Sequence, residues 1–387
     1  MSLAGMRIIV IGAGICGLAT ARALCLRGAK VSVFEQAEAI REVGAGLQIA
    51  PNGFRVVAAL GLADSLRARA VRAQAVRLMD CRGAQVVRLD LSRLASRDYW
   101  FVHRADLIEA LAQGARAAGA RIRLLQRVTR VEPGAPTRVH VASGEVIEAD
   151  LVVAADGLHS VLRGALNASA APFFTGQVAW RAVVPNRLRR GPEARVDMGP
   201  HRHVVSYPLR GGDLLNIVAV EERAAWSAES WSAQGDPARL RAAFADFSPA
   251  VREMLGAVES VHLWGLFRHP VARRWHAAGC ALAGDAAHPT LPFLAQGASM
   301  ALEDAWVLAD ALDRPGTLEA RLAAYQERRE GRARRVIDAA TGNAWKYHLS
   351  APPLRWAAHG ALRLAGRLAP GAVMGRFGWI YDHDVTA

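Results

Sequence analysis

The chain has 387 residues, 52% of them hydrophobic, enough for one large domain or two joined ones around a substantial core. Its formal net charge of +13 comes almost wholly from arginine, Lys30 and Lys346 being the only lysines. The arginines are scattered rather than gathered in blocks interleaved with aromatics, which reads as the coding bias of a GC-rich bacterial genome and argues against a nucleic-acid partner, leaving a field that attracts small anions.

No uncharged apolar run reaches the ~20 residues of a membrane span. The start, "MSLAGMRIIVIGAGICGLATA", imitates a secretory signal, but its internal glycines favour another reading. Cys16, Cys25, Cys81 and Cys280 show neither CxxC nor metal-ligand spacing, the pattern of reduced thiols in a cytoplasmic protein without a metal centre.

In chain order, "RIIVIG" is a continuous apolar strand, residues 15–28 form a helix of small and apolar residues, and "KVSVFE" is a second strand, together a βαβ unit. A helix opens after Pro51-Asn52, and another follows "HRADLIEALAQGARAAG", stopped by Gly119. Short strands fill 120–155. Between 171 and 269, "GQVAWRAVVP", "RVDMG", "HVVSYPL" and "LLNIVAVEE" alternate with Pro, Gly and Asn turns, as in an antiparallel sheet. The α/β pattern resumes at Cys280, and Ala/Arg/Leu helices fill 297–346.

The expected fold is α/β: a Rossmann-like dinucleotide-binding domain with an inserted, mainly antiparallel β-sheet domain and a C-terminal helical region. The expected boundaries are 1–73, 100–170 and 270–345 for the nucleotide domain, 74–99 and 171–269 for the sheet domain, and 346–387 for the helical segment. The basic amphipathic stretch 355–380 is read as packing on the body of the protein rather than on a membrane surface.

Three motifs carry chemistry. Gly12, Gly14 and Gly17 form a GxGxxG between a strand and a helix, and Glu35 ends the next strand eighteen residues past Gly17. The first two glycines let the backbone turn and approach a pyrophosphate, the third lets helix and strand pack closely, and the carboxylate accepts from a ribose hydroxyl. A glycine turn also has purely structural uses, and this motif does not separate NAD from FAD. "DLVVAADGLHSVLR" places Asp156-Gly157 at another strand end, which alone is an Asx-capped helix start. "CALAGDAAHPTLPFLAQGASMALEDA" repeats that layout at Gly284-Asp285, then crosses Pro289 and Pro292 into a Gly297-Ala298-Ser299 helix start.

With these motifs in this order, the chain resembles the single-component flavin aromatic hydroxylases, the para-hydroxybenzoate hydroxylase family. It is most similar to the salicylate, 3-hydroxybenzoate and 6-hydroxynicotinate branch, to which Ala295, in place of the glycine of a GQG, also points. The resemblance implies an NAD(P)H-dependent FAD monooxygenase that hydroxylates a small, anionic phenolic or N-heteroaromatic compound through a flavin C(4a)-hydroperoxide. It assigns the pyrophosphate to Gly12, Gly14 and Gly17, the adenosine ribose to Glu35 with Gln36, and cofactor contacts to Arg41, Leu47, Gln48, Arg104, Asp156, Pro292, Gly297 and Ala298. Asp285 is assigned to the ribityl chain and Val128 to adenine through its backbone.

The chemistry so implied makes demands on other residues. A helix N-terminus at Gly297-Ala298 suits a reduced, anionic ring, and Pro289 and Pro292, lacking N–H donors, suit a stiff apolar wall. In "HRHVVSYPLR", alternation puts His201, His203 and Tyr207 on one strand face. His203, with a reference pKa of about 6.5, suits base or relay work, and Tyr207 suits substrate anchoring. Four strand residues span ~13 Å, so both reach one ligand only if the strand bends or the ligand bridges them. Arg181 is a candidate for a substrate carboxylate, with an external salt bridge as its plainer reading, and His288 is a lesser candidate, with a structural role beside Pro289 as its alternative. Dioxygen and a small aromatic acid are the expected partners, the protein being a monomer or homodimer. Two other readings stand beside this one: an FAD enzyme of different chemistry, such as an epoxidase or dehydrogenase, and a non-catalytic nucleotide-binding protein.

Overall fold

The computed structural model describes residues 3–40, 45–168, 171–225 and 233–387, so Arg41 lies outside the described residues. A six-stranded sheet runs in the order His276–Ala277, Cys280–Leu282, Leu151–Ala154, Arg7–Ile11, Lys30–Phe34, Arg121–Arg123. All its pairings are parallel except the short hairpin at 276–282. Ile8 to Ile11 pair with Leu151 to Ala154 on one side and with Val31 to Phe34 on the other. Strands buried on both faces need apolar residues without alternation, which is why "RIIVI" and "LVVA" read as unbroken apolar runs.

Parallel strands bring their carboxyl ends to one edge. Helix Ile15–Cys25 leaves that edge and packs against helices Arg104–Ala117 and Gly297–Asp313. The residues just past the strand ends, Gly12, Glu35, Asp156 and Asp285, are therefore gathered along one crevice although 273 positions separate the first from the last (285 − 12).

The second large sheet has eight strands, in the order Gln234–Gly235, Val261–Arg268, Phe173–Pro185, Leu214–Glu222, Arg202–Leu209, Glu193–Gly199, Ala75–Asp80, Gln85–Asp90. Every pairing is antiparallel except that between 193–199 and 75–80. Its faces alternate in composition. Val178, Trp180, Val204, Leu215 and Ile217 enter a core with Leu240, Phe244 and Val251 of helices Pro237–Ala243 and Pro249–Gly256, while Arg181, His203, Val205, Tyr207 and Val218 face a cavity on the opposite side.

His201 does not share that second face. The strand begins at Arg202, and His201 sits before it in a left-handed turn, φ 60°, with an exposed ring. The period-2 alternation that governs 203–207 has not started there.

After the long helix Leu318–Ala344, the turn Lys346–His348 lies against strands 193–199 and 202–209, and helix Pro352–Leu368 packs on strand 85–90. The packing is one-sided: Leu354, Trp356, Leu364 and Leu368 remain exposed. Among the described residues no helix is long and apolar enough to cross a membrane. All four cysteines are unpaired, Cys16 and Cys280 being buried.

Candidate active site

A cavity of about 1420 Å³ runs from the crevice of the parallel sheet to the open face of the antiparallel one. At its nucleotide end, Gly12 has φ 96°, and a Cβ there would lie 2.6 Å from the Ala155 carbonyl oxygen. A Cβ on Gly17 would lie 1.9 Å from the Gly12 carbonyl oxygen, so this glycine acts by close packing and is not on the cavity wall. Gly14 differs: a Cβ there would meet nothing within 4 Å, because the residue opens on the cavity. Helix 15–25 begins here with no side-chain cap and no acidic residue in its first turn. Glu35 accepts from Ala13 N–H at 2.8 Å and from Ala37 N–H at 2.9 Å, which holds its carboxylate beside the glycine turn. Gln36 and Val128 line the same end.

In the middle, Asp156 accepts from Val161 N–H at 3.2 Å through Oδ2, while its buried Oδ1 has no partner. Burial raises its pKa. Ser160 caps the following helix, and Arg163 reaches across to donate to the Ala286 and Ala287 carbonyls at 2.9 and 3.1 Å and to the Pro270 carbonyl. The arginine of "GLHSVLR" thus clamps the Gly284-Asp285 loop, a role its spacing alone did not announce. Asp285 is enclosed by protein but turns its carboxylate onto the open cavity, and burial raises its pKa. Leu47, Gln48 and Arg104 line the opposite wall, Gln48 accepting from the Tyr99 hydroxyl at 2.8 Å.

Beneath the loop lies an ionic cluster that sequence reasoning missed. His288 does not reach the cavity; its Nε2 lies 2.5 Å from Asp304 Oδ2, which also accepts from Gly284 N–H at 2.8 Å. Arg329 donates to Asp304 at 2.7 Å and to Glu303 at 2.6 Å, and Asn52 donates to Glu303 at 2.6 Å. Burial pushes the Asp304 carboxyl up, but His288 and Arg329 outweigh it and hold it at about 2. Glu303 is likewise held at about 2, burial being overcome by Arg329 and Arg332. The available signal was the Glu-Asp pair inside the apolar run "ALEDAWVLA", a placement that requires buried cations.

At the far end, Pro289, Pro292, Gly297 and Ala298 line one wall and His203, Tyr207 and Arg181 the other. Phe293 and His203 have ring centroids 6.0 Å apart, so loop and sheet face each other closely. Helix 297–313 has no side-chain cap, and its first intrahelical bond is from Met300 N–H. Arg181 lies over the Trp264 ring at 4.9 Å. Tyr207 is buried against Phe101 at 5.0 Å, and burial raises its pKa. Burial, with His348 adding to it, drives the His203 pKa well below that of a free imidazole, so the ring is neutral at pH 7. Tyr99, Trp264, Phe293, Tyr347 and Tyr381 complete the walls; they come from five separate segments and carry no shared sequence mark.

A glycine-turned βαβ crevice continuous with a partly apolar chamber defines a dinucleotide-dependent oxidoreductase. The family described as an FAD binding domain matches residues 6–340, and the chain belongs to it. A 3-amino-4-hydroxybenzoate 2-monooxygenase of Streptomyces cremeus is 39% identical over 360 residues, 90% of this chain and 89% of its own. A 6-hydroxynicotinate 3-monooxygenase of Bordetella bronchiseptica is 34% identical, over 88% of this chain and 91% of its own. The crystal structure of Klebsiella pneumoniae HpxO complexed with FAD and uric acid aligns with a TM-score of 0.83 at 28% identity, covering 94% of each chain. The chain is an FAD-dependent monooxygenase. The residues fit that cofactor: the space at Gly14 is one a Cβ would fill, and Asp156 Oδ1 is a buried acceptor that lacks a partner.

Proposed function

We propose that this enzyme hydroxylates a small anionic aromatic or N-heteroaromatic acid bearing a ring hydroxyl, with His203 as the base and Arg181 pairing with the substrate carboxylate. The observation that carries this reading is a single cavity shared by the strand-end motifs, Pro289, His203, Tyr207 and Arg181. Bound FAD supplies the redox chemistry, taking a hydride from NADH or NADPH and activating dioxygen for transfer to the ring.

In this reading Gly12 and Gly14 admit the pyrophosphate, Glu35 and Gln36 hold the adenosine ribose, and Val128 lies by the adenine. Asp285 holds the ribityl chain, and Asp156 keeps its free oxygen for the nucleotide. Leu47, Gln48 and Arg104 flank the ring system. The uncapped amides at Gly297 and Ala298 would offer donors to the bound ring, stabilising negative charge on it without a mobile cation. Pro289 and Pro292 keep water from the oxygen-transfer point. On the substrate, His203 removes the hydroxyl proton and so raises the electron density of the ring, while Tyr207 and Arg181 fix its orientation.

The test is oxidation of NADH and NADPH by the purified yellow protein with 3-amino-4-hydroxybenzoate, 3-hydroxybenzoate and 6-hydroxynicotinate under labelled dioxygen. Substrate-dependent acceleration with one labelled oxygen in the product is expected. Oxidation that no member of a wider panel of phenolic and heteroaromatic acids accelerates would sink the proposal.

A further inference from the structure

His203 is the inner end of a hydrogen-bonded chain that reaches the surface. Its Nδ1 lies 2.7 Å from His348 Nε2, His348 Nδ1 lies 2.9 Å from Glu222 Oε1, and Glu222 Oε2 lies 2.6 Å from His201 Nδ1. Backbone bonds clamp the same residues together: His201 N–H donates to the His348 carbonyl at 3.1 Å and Glu222 N–H to the His201 carbonyl at 3.0 Å. His203 and His348 are buried, whereas the Glu222 and His201 side chains are 38% and 58% exposed.

The donors in this chain are determined from its outer end. An ionised carboxylate only accepts, so His348 Nδ1 carries the hydrogen. A neutral imidazole has one N–H, so His348 Nε2 is an acceptor, and His203 Nδ1 must be the donor to it. His203 Nε2 is then unprotonated. It forms no hydrogen bond with the described residues, and His203 lines the cavity. The other polar group at His348 is the Gln177 amide, 3.3 Å from Nδ1, whose buried oxygen has no partner and, turned by half a rotation, accepts the same hydrogen.

We propose that Glu222 and His348 are the positioning residues of a proton wire: they fix the tautomer that makes His203 a base toward the cavity, and they carry its proton to solvent. The balance is a shift of single protons with no redox change. The substrate O–H breaks as His203 Nε2–H forms, His203 Nδ1–H passes to His348 Nε2, His348 Nδ1–H passes to Glu222 Oε1, and Glu222 gives its proton to water. Burial of His203 makes such a path necessary, because a proton left on that ring would be a charge held out of water.

This inference rests on the reading of His203 as the base, and the test separates the two. In the FAD-loaded enzyme labelled with ¹⁵N-histidine, two-bond proton–nitrogen spectra report each tautomer, and His203→Gln assigns the signal. The expected result is His203 as the Nδ1–H form, changing to a mixture when both acceptors at His348 are removed in Glu222→Ala/Gln177→Leu. An Nε2–H form in the wild type, or no change in that double variant, overturns the wire, whichever aromatic acid the enzyme takes.

The second measurement follows proton release to an indicator dye when the oxidised holoenzyme is mixed with 3-amino-4-hydroxybenzoate. Release should slow by roughly tenfold or more in Glu222→Ala and His348→Gln with FAD content unchanged. Wild-type release in both variants also overturns the wire. Wild-type release in His203→Gln overturns the reading of His203 as base instead.

Discussion

In the proposed role of His203 as base, function depends on a neutral ring. Burial lowers its pKa from the ordinary 6.5, and a base must be unprotonated to act, so its working form persists as the pH drops below 6.5. The kcat/KM profile should therefore hold its plateau into mildly acidic pH, and an acidic limb along which activity already falls as the pH drops through 7 would contradict the assignment. His203→Gln should lower kcat by about 10²-fold or more while leaving KM nearly unchanged, measured by substrate-dependent NAD(P)H oxidation. Ala295 makes a different point. It adopts φ 52° after the turn Pro292–Leu294, a conformation that costs a residue with a Cβ roughly 1–2 kcal/mol. The glycine that the family pattern places there has no such cost. Thermal unfolding should show Ala295→Gly stabilising the protein by up to about 1 kcal/mol and Ala295→Val destabilising it.

At the scale of elements, helix 15–25 separates two uses of glycine. Gly17→Ala sets a methyl against the Gly12 carbonyl, so the helix cannot seat on its strand, and both stability and FAD retention should fall. Gly14→Ala meets no protein atom. It should leave the melting temperature of the FAD-free protein unchanged and still weaken FAD binding, as read by flavin fluorescence titration. Helices 297–313 and 318–344 are joined by Arg329 between Glu303 and Asp304. Arg329→Met leaves two buried carboxylates short of a partner and should cost about 3–5 kcal/mol in denaturant unfolding.

For the whole molecule, the same cluster governs acid stability. Glu303 and Asp304 are held at about 2 when folded against ordinary values of 4.5 and 3.8. Groups whose folded pKa is depressed contribute stability above their unfolded values and lose it as pH falls toward the folded ones. Their contribution should thus be intact at neutral pH and disappear between pH 4.5 and about 2, as followed by circular dichroism. A transition already complete at pH 5 would show that another group dominates.

Much of the crevice lining was legible in the chain because its residues follow strand ends at short range: Gly12 to Gly17, Asp156 and Asp285 stand at strand-to-helix junctions and Glu35 just past a strand end, places that pattern alone locates. The expectation of His201 beside His203 failed because alternation applies only inside a strand, and the strand starts one residue later. His288, a lesser candidate whose alternative was a structural role, follows that alternative as part of the ionic support. Arg163, Arg329, His348 and Glu222 were illegible in their roles, since each acts on groups far away in sequence.

By itself, then, the sequence determined the parallel-sheet crevice and its glycine turn, because local periodicity and glycine geometry act within a few residues of each motif, while the family and its FAD were implied by the resemblance that the ordered motifs carry. Only the tertiary structure decided how the sheet wall is lined and how His203 is joined to the surface through His348 and Glu222. Those side chains meet across 145 and 126 positions of chain, and no local rule of spacing operates over such a distance.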